Sequence, residues 1–231
     1  SGRILGAILF KDTMLKEIDN LPTAIYLWEK LQIVPFLKID QGLLSSENQS
    51  QLLKPINDLK TSLELAKKNK VFGTKMRSLI NGANNIGIKD LVDQQFDIGE
   101  EILSFGLLPI IEPEVDITIP DKREAEDMLY NNIKRRLDRI ESGKKVILKL
   151  SLPEQDNFYE PLTQHPNILR IVALSGGFEK KIAVNKLKQN KNMIASFSRA
   201  LTEGLKSGSS KQEFEEQLDR TVQSIYEASL S

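Results

Sequence analysis

Short apolar runs alternate with longer amphipathic stretches from one end of the chain to the other. The runs are Ile4 to Phe10, Ile33 to Ile39, Val71 to Met76, Leu108 to Val115, Val146 to Leu152, Ile168 to Leu174 and Met193 to Phe197. Each is almost continuously hydrophobic and does not alternate in and out, which is the habit of parallel strands covered on both faces by helices. The stretches between them have helical ends. Pro55 opens an apolar-periodic segment that closes on Lys67 and Lys68, where positive charge suits a helix C-terminus. Gly87 and Gly106 bracket a second helix, and a third runs from about Asp121 to Ser142 with Gly143 as its stop. The last begins at Ser210, whose spacing to Glu213 fits a capping box. Strand followed by helix, repeated, predicts right-handed crossovers and a parallel sheet.

The polar residues narrow the fold. Lys38, Lys75, Glu112 and Lys149 fall at or near predicted strand ends, each 37 residues after the last. Ser175 and Arg199 continue the series at intervals of 26 and 24. Functional side chains at the C-terminal tips of successive parallel strands are what a (β/α)8 TIM barrel uses, whereas an open doubly wound sheet gathers its site at one switch point. The expected architecture is therefore an α/β barrel, with residues 1–231 as a single domain.

Charge and composition then exclude whole classes of function. Thirty-two basic residues balance 32 acidic ones, so no net charge recruits nucleic acid. The absence of cysteine removes disulfides and thiolates and makes a cytoplasmic setting the expected one. His165 is the single histidine, which leaves no His cluster for a metal; no metal and no cofactor are expected. No apolar run approaches the roughly 20 residues needed to span a bilayer, so no membrane association is expected. A homo-oligomer is compatible with the sequence, which does not specify one.

What remains is chemistry by lysines, arginines, carboxylates and backbone groups. Lys149, between Leu148 and Leu150, is expected to be desolvated and pushed toward its neutral, nucleophilic form, with the charge of Lys75 helping by repulsion. The bland alternative, lysines snorkelling from strand ends into water, fits one such residue better than three at matching positions. Glu112 and Glu114, two apart on one strand, should face the same way, one moving protons and the other orienting a lysine. Ser175, Gly176 and Gly177 form a turn before a helix that can take an anion, and Arg199 at the neighbouring strand end can grip phosphate oxygens. Lys38 and Arg77 could hold a second phosphate across the mouth. A substrate with a phosphate at each end and a carbonyl between would fit. Tyr26 and Trp28 are read as packing residues on a short helix, and His165 as a loop residue.

These residues resemble those of class I fructose-1,6-bisphosphate aldolase in its short bacterial form. The similar stretches are Ile4 to Phe10, Val34 to Asp40, Gly73 to Arg77, Glu112-Pro113-Glu114, Leu148-Lys149-Leu150, Leu174 to Gly177 and Ala195 to Leu201, so the resemblance spans essentially all 231 positions. It implies a Schiff base on Lys149, acid–base work by Glu112, tuning by Glu114 and Lys75, one phosphate on Ser175, Gly176, Gly177 and Arg199, and the other on Lys38 and Arg77. It implies metal-independent cleavage of fructose 1,6-bisphosphate to dihydroxyacetone phosphate and glyceraldehyde 3-phosphate. Family members carry an earlier strand ending in Asp, followed by a Ser-Gly-Gly turn, ahead of the point matching Ser1. The barrel is accordingly expected to lack its first strand here, and the active species to carry that segment. Ser198 stands where animal relatives have Gly. Three alternatives stay open at this point: the tagatose bisphosphate as substrate, a catalytically impaired barrel used as an interaction protein, and a metal-dependent sugar-phosphate enzyme.

Overall fold

The structure is a computed structural model that describes residues 2–205 and 208–231. In chain order it contains β1 (Gly6–Leu9), α1 (Lys11–Leu15), β2 (Glu17–Ile18), β3 (Leu21–Pro22), α2 (Thr23–Leu31), β4 (Val34–Lys38), β5 (Ser50–Gln51), α3 (Leu59–Lys68) and β6 (Gly73–Ile80). There follow α4 (Asn85–Ser104), β7 (Leu108–Val115), α5 (Lys122–Leu137), β8 (Val146–Ser151), a 3-10 turn at Glu160–Gln164, β9 (Ile168–Leu174), α6 (Lys180–Lys188), β10 (Met193–Ala195), α7 (Arg199–Thr202) and α8 (Lys211–Ala228).

Seven strands run parallel in the order β1-β4-β6-β7-β8-β9-β10, all seven at the apolar runs of the sequence. Among the described residues the sheet is open between β1 and β10. Each face has its own core. Leu37, Met76, Ile111, Leu148, Ile171 and Ala173 point outward into the large cluster shared with the helices. Phe36, Ile110, Ile147 and Val172 form a separate small cluster on the inner face, joined by Ile8, Val34, Leu108 and Ile194. Two packed faces explain why the strands show no alternation. Because side chains repeat every second residue, the next inward positions beyond Phe36, Gly73, Ile110 and Ile147 are Lys38, Lys75, Glu112 and Lys149. An apolar floor is thus capped by a charged layer.

Several boundaries differ from the sequence expectations. The second helix starts two residues before Gly87, because Asn84 caps it by accepting from the N–H groups of Ile86 and Gly87 at 3.0 and 3.2 Å. Gly87 lies inside the helix instead of bounding it: a Cβ there would meet the Asn48 carbonyl at 2.2 Å. The third helix ends at Leu137, and Gly143 belongs to a later turn with φ +84°. The capping box of α8 is present, with Glu213 N–H donating to Ser210 Oγ at 3.2 Å and Ser210 N–H to Glu213 Oε2 at 2.8 Å. Trp28, read as packing, is 45% exposed on α2. His165 sits in a loop as expected, its Nε2 3.1 Å from Asp138. No helix among the described residues is long and apolar enough to cross a membrane.

Helices α4 and α5 are clamped by ion pairs that the sequence pattern does not show. Arg136 donates to Asp97 at 2.7 Å, to Glu100 at 3.0 Å and to Asp93 at 3.2 Å. Partial burial pushes the Asp93 carboxyl up, but hydrogen bonds from Arg135, Lys89 and Arg136 outweigh it and hold the group at about 2. A carboxyl depressed in the folded state stabilises it above the unfolded value near 4, and that contribution disappears as pH falls toward 2. Asp93→Asn is therefore expected to cost about 1–2 kcal/mol at neutral pH and almost nothing near pH 2. Urea denaturation across that range measures it, and a cost independent of pH would contradict the assignment.

Candidate active site

The charged layer closes on Glu112. Its Oε1 lies 3.1 Å from Lys149 Nζ and its Oε2 lies 3.1 Å from Lys75 Nζ. All three are nearly buried, at 3%, 7% and 6% exposure, so they are paired out of bulk water, where each interaction is strong. The two lysines do not confront one another, because the carboxylate stands between them. The Lys149 amine has a carboxylate oxygen within hydrogen-bond reach, able to accept its proton.

Glu114 is buried on the same side of β7, as period two requires, and takes a hydrogen bond from Arg77 Nε. That bond, foremost, pushes the Arg77 guanidinium above its ordinary value, so it stays charged. Lys38, the last residue of β4, is in register with Lys75 and donates to Asp40 Oδ1 at 2.5 Å. Lys75 is deeper in its strand than expected. Strand β6 runs on to Ile80, where β5 pairs with it antiparallel, while the polar Arg77 and Ser78 make the sequence look like a turn.

Across the mouth, Ser175 follows β9 and is 5% exposed. Gly176 and Gly177 adopt φ +62° and +112°, conformations that favour glycine, and α6 begins just beyond. The Arg199 guanidinium stands over this turn: a Cβ on Gly177 would lie 3.8 Å from its Nη1. Arg199 is not at a strand end, however. Strand β10 stops at Ala195, and Arg199 is the first residue of α7, carried there by the linking residues 196–198.

The structure adds residues that sequence reasoning passed over. The last paired positions of β7 with β8 are Ile111 and Leu148, one residue short of Glu112 and Lys149. Side chains stitch the strands where the ladder stops. Gln95 of α4, fully buried, accepts from the Glu112 N–H at 2.9 Å and donates to Ser78 Oγ at 2.8 Å. Ser151 accepts from Val115 N–H at 3.0 Å and donates to its carbonyl at 2.7 Å. Lys122 and Glu126 of α5 form a buried pair that takes the Leu152 carbonyl and the Glu154 N–H, fixing the segment that leaves β8. Burial raises the Glu126 carboxyl in spite of Lys122. A Lys and a Glu four apart on a helix face otherwise lined by Ala125 and Leu129 is the one sequence signal for this pair. Gln95→Leu should leave the Glu112 N–H buried and unpaired at a cost of about 2–3 kcal/mol, visible in thermal melting. An unchanged melting temperature would show that another acceptor replaces it.

No family model matches the sequence. Curated relatives do. The chain is 51% identical over 229 residues to fructose-bisphosphate aldolase class 1 of Synechocystis, covering 99% of this chain and 76% of that protein. The protein of the same name from Clostridium acetobutylicum is 50% identical over 228 residues, covering 99% and 77%, and that from Porphyromonas gingivalis 48% over 230, covering 100% and 78%. The chain belongs to the class 1 fructose-bisphosphate aldolase family. It spans about three-quarters of the length of these relatives. The fold agrees: fructose-bisphosphate aldolase from Plasmodium falciparum, solved in a ternary complex, superimposes with a TM-score of 0.77 over 99% of this chain and 78% of that one, at 18% identity. The (β/α) barrel is thus shared with an aldolase far outside the range of close sequence similarity. Among the described residues of this family member, no group of three or more His, Cys, Asp or Glu side chains is arranged to hold a metal ion.

Proposed function

We propose that this chain performs class I aldol cleavage of fructose 1,6-bisphosphate through an imine on Lys149, with residues 1–231 acting as one barrel domain. The observation that carries the reading is Glu112 bridging Lys149 and Lys75 at 3.1 Å each on top of a dry barrel floor. Glu112 takes a proton from the Lys149 ammonium, and the freed amine attacks the ketone carbon. The same carboxyl protonates the carbonyl oxygen as it becomes the carbinolamine hydroxyl, and a proton delivered to that hydroxyl releases water and forms the iminium. The iminium then accepts the electron pair of the C3–C4 bond while a carboxylate removes the C4 hydroxyl proton. Glyceraldehyde 3-phosphate leaves. Protonation of the enamine at C3 and hydrolysis return dihydroxyacetone phosphate and free Lys149.

In this scheme Ser175, the Gly176 and Gly177 backbone and Arg199 hold one phosphate, and Lys38 and Arg77 the other, with Glu114 keeping Arg77 aimed. The arrangement is supported by the separation of the two basic groups, which lie on opposite sides of β7 and β8. A sequence without cysteine suits a cytoplasmic setting. The test is borohydride reduction in the presence of fructose 1,6-bisphosphate, followed by peptide mass mapping. A reduced triose or hexose adduct on Lys149 is expected; trapping on no lysine, despite turnover, would defeat the imine mechanism. Parallel assays with the tagatose isomer decide substrate preference.

A further inference from the structure

Asp40 lies two residues past β4 and has no role in the scheme above. Its side chain is only 6% exposed. Oδ1 accepts from Lys38 at 2.5 Å, and Oδ2 faces Lys75 Nζ at 3.5 Å. Lys38, Asp40, Lys75, Glu112 and Lys149 therefore form one unbranched row of alternating charge, with gaps of 2.5, 3.5, 3.1 and 3.1 Å. The two oxygens on either side of Lys75, Asp40 Oδ2 and Glu112 Oε2, are both buried, and neither takes a hydrogen bond of regular geometry among the described residues.

An ammonium in this position is held by opposing attractions. With a carboxylate on each side, its location is a balance, and deleting one leaves the full pull of the other in a poorly screened interior. Without the Asp40 charge, Lys75 would be drawn onto Glu112, tying up the carboxylate that must also exchange a proton with Lys149. We infer that Asp40 is a positioning residue of the aldol reaction: it holds the Lys75 ammonium between two carboxylates and so leaves Glu112 free to serve Lys149. The inference rests on the proposed function.

The experiment is a double-mutant cycle in the full chain, with kcat, KM and melting temperature measured for wild type, Asp40→Asn, Lys75→Met and the double variant. Asp40→Asn is expected to lower kcat about ten- to hundredfold while KM moves less than about threefold. In the Lys75→Met background the same change should alter kcat less than about twofold, since its route of action is already gone. Asp40→Glu should recover part of the loss. An equal loss in both backgrounds would overturn the inference, as would an effect confined to KM that vanishes beside Lys38→Met. If Asp40→Asn does not fold, Asp40→Ser takes its place in the cycle. Wild-type turnover and borohydride trapping on the same preparation report on the proposed function separately, so additivity in a working enzyme removes only the role of Asp40.

Discussion

Lys149→Met is expected to eliminate the borohydride-trapped adduct and to lower kcat/KM by at least about 10⁴-fold, the scale on which loss of a covalent nucleophile is felt. Methionine keeps the length and the apolar character of the lysine stem, so the lesion is confined to the amine. Glu112 loses one ammonium but keeps Lys75 at 3.1 Å. The buried carboxylate is therefore still paired, and stability should fall by only about 1–3 kcal/mol, or several degrees of melting temperature. Circular dichroism melting and trapping on the same sample separate the two effects. An adduct that persists in the variant, carried by Lys75, would relocate the nucleophile.

Glu112→Gln should reduce kcat by about 10²–10⁴-fold, the usual contribution of a positioned acid–base group. Its signature differs from that of Lys149→Met. The amine is still there, so the adduct forms, but slowly, because the carbinolamine hydroxyl lacks its proton donor. Rapid-quench single-turnover measurements should show imine formation limiting. The variant also strips the anion from between two cations: Lys75 retains Asp40 at 3.5 Å, whereas Lys149 loses the carboxylate 3.1 Å away. A stability loss of about 3 kcal/mol is expected on that account, larger than for Lys149→Met. A variant with normal kcat and a raised KM would make Glu112 a binding group and leave the proton transfers to another residue.

The site residues are legible in the sequence to different depths, for physical reasons. The 37-residue spacing of Lys38, Lys75, Glu112 and Lys149 survives folding as a charged layer on one face of the sheet: Lys38 is in register with Lys75, while Lys75 stands opposite Ile110, two residues before Glu112, which keeps the same side because side chains repeat every second residue. The contacts within that layer are another matter. Spacing along the chain cannot report that Glu112 reaches both lysines, nor that Asp40 reaches two. Arg199 was expected at a strand tip and sits on α7, yet its guanidinium still covers Gly177. Gln95 and Ser151 were invisible because a buried amide or hydroxyl in an amphipathic segment looks like any surface residue until the backbone group it satisfies is located. The two-residue strands β2, β3 and β5 are too short to carry a period; β5 exists because residues 43–53 fold back through Asn48 and Gln49, both in left-handed conformation, onto the end of β6.

By itself the sequence determined the seven parallel strands and their covering helices, since continuous apolar runs must be buried on both faces wherever they lie. It also determined the cast of reactive side chains, for a chain with one histidine and no cysteine leaves the work chiefly to amines, guanidinium groups, carboxylates and hydroxyls. Only the tertiary structure decided who touches whom: the bridging place of Glu112, the hold of Asp40 on Lys75, and the stitches at Gln95 and Ser151. Those contacts join strands and helices tens of residues apart, and their distances are set by the curl of the sheet and the end of a hydrogen-bond ladder, neither of which leaves a periodic trace in the chain.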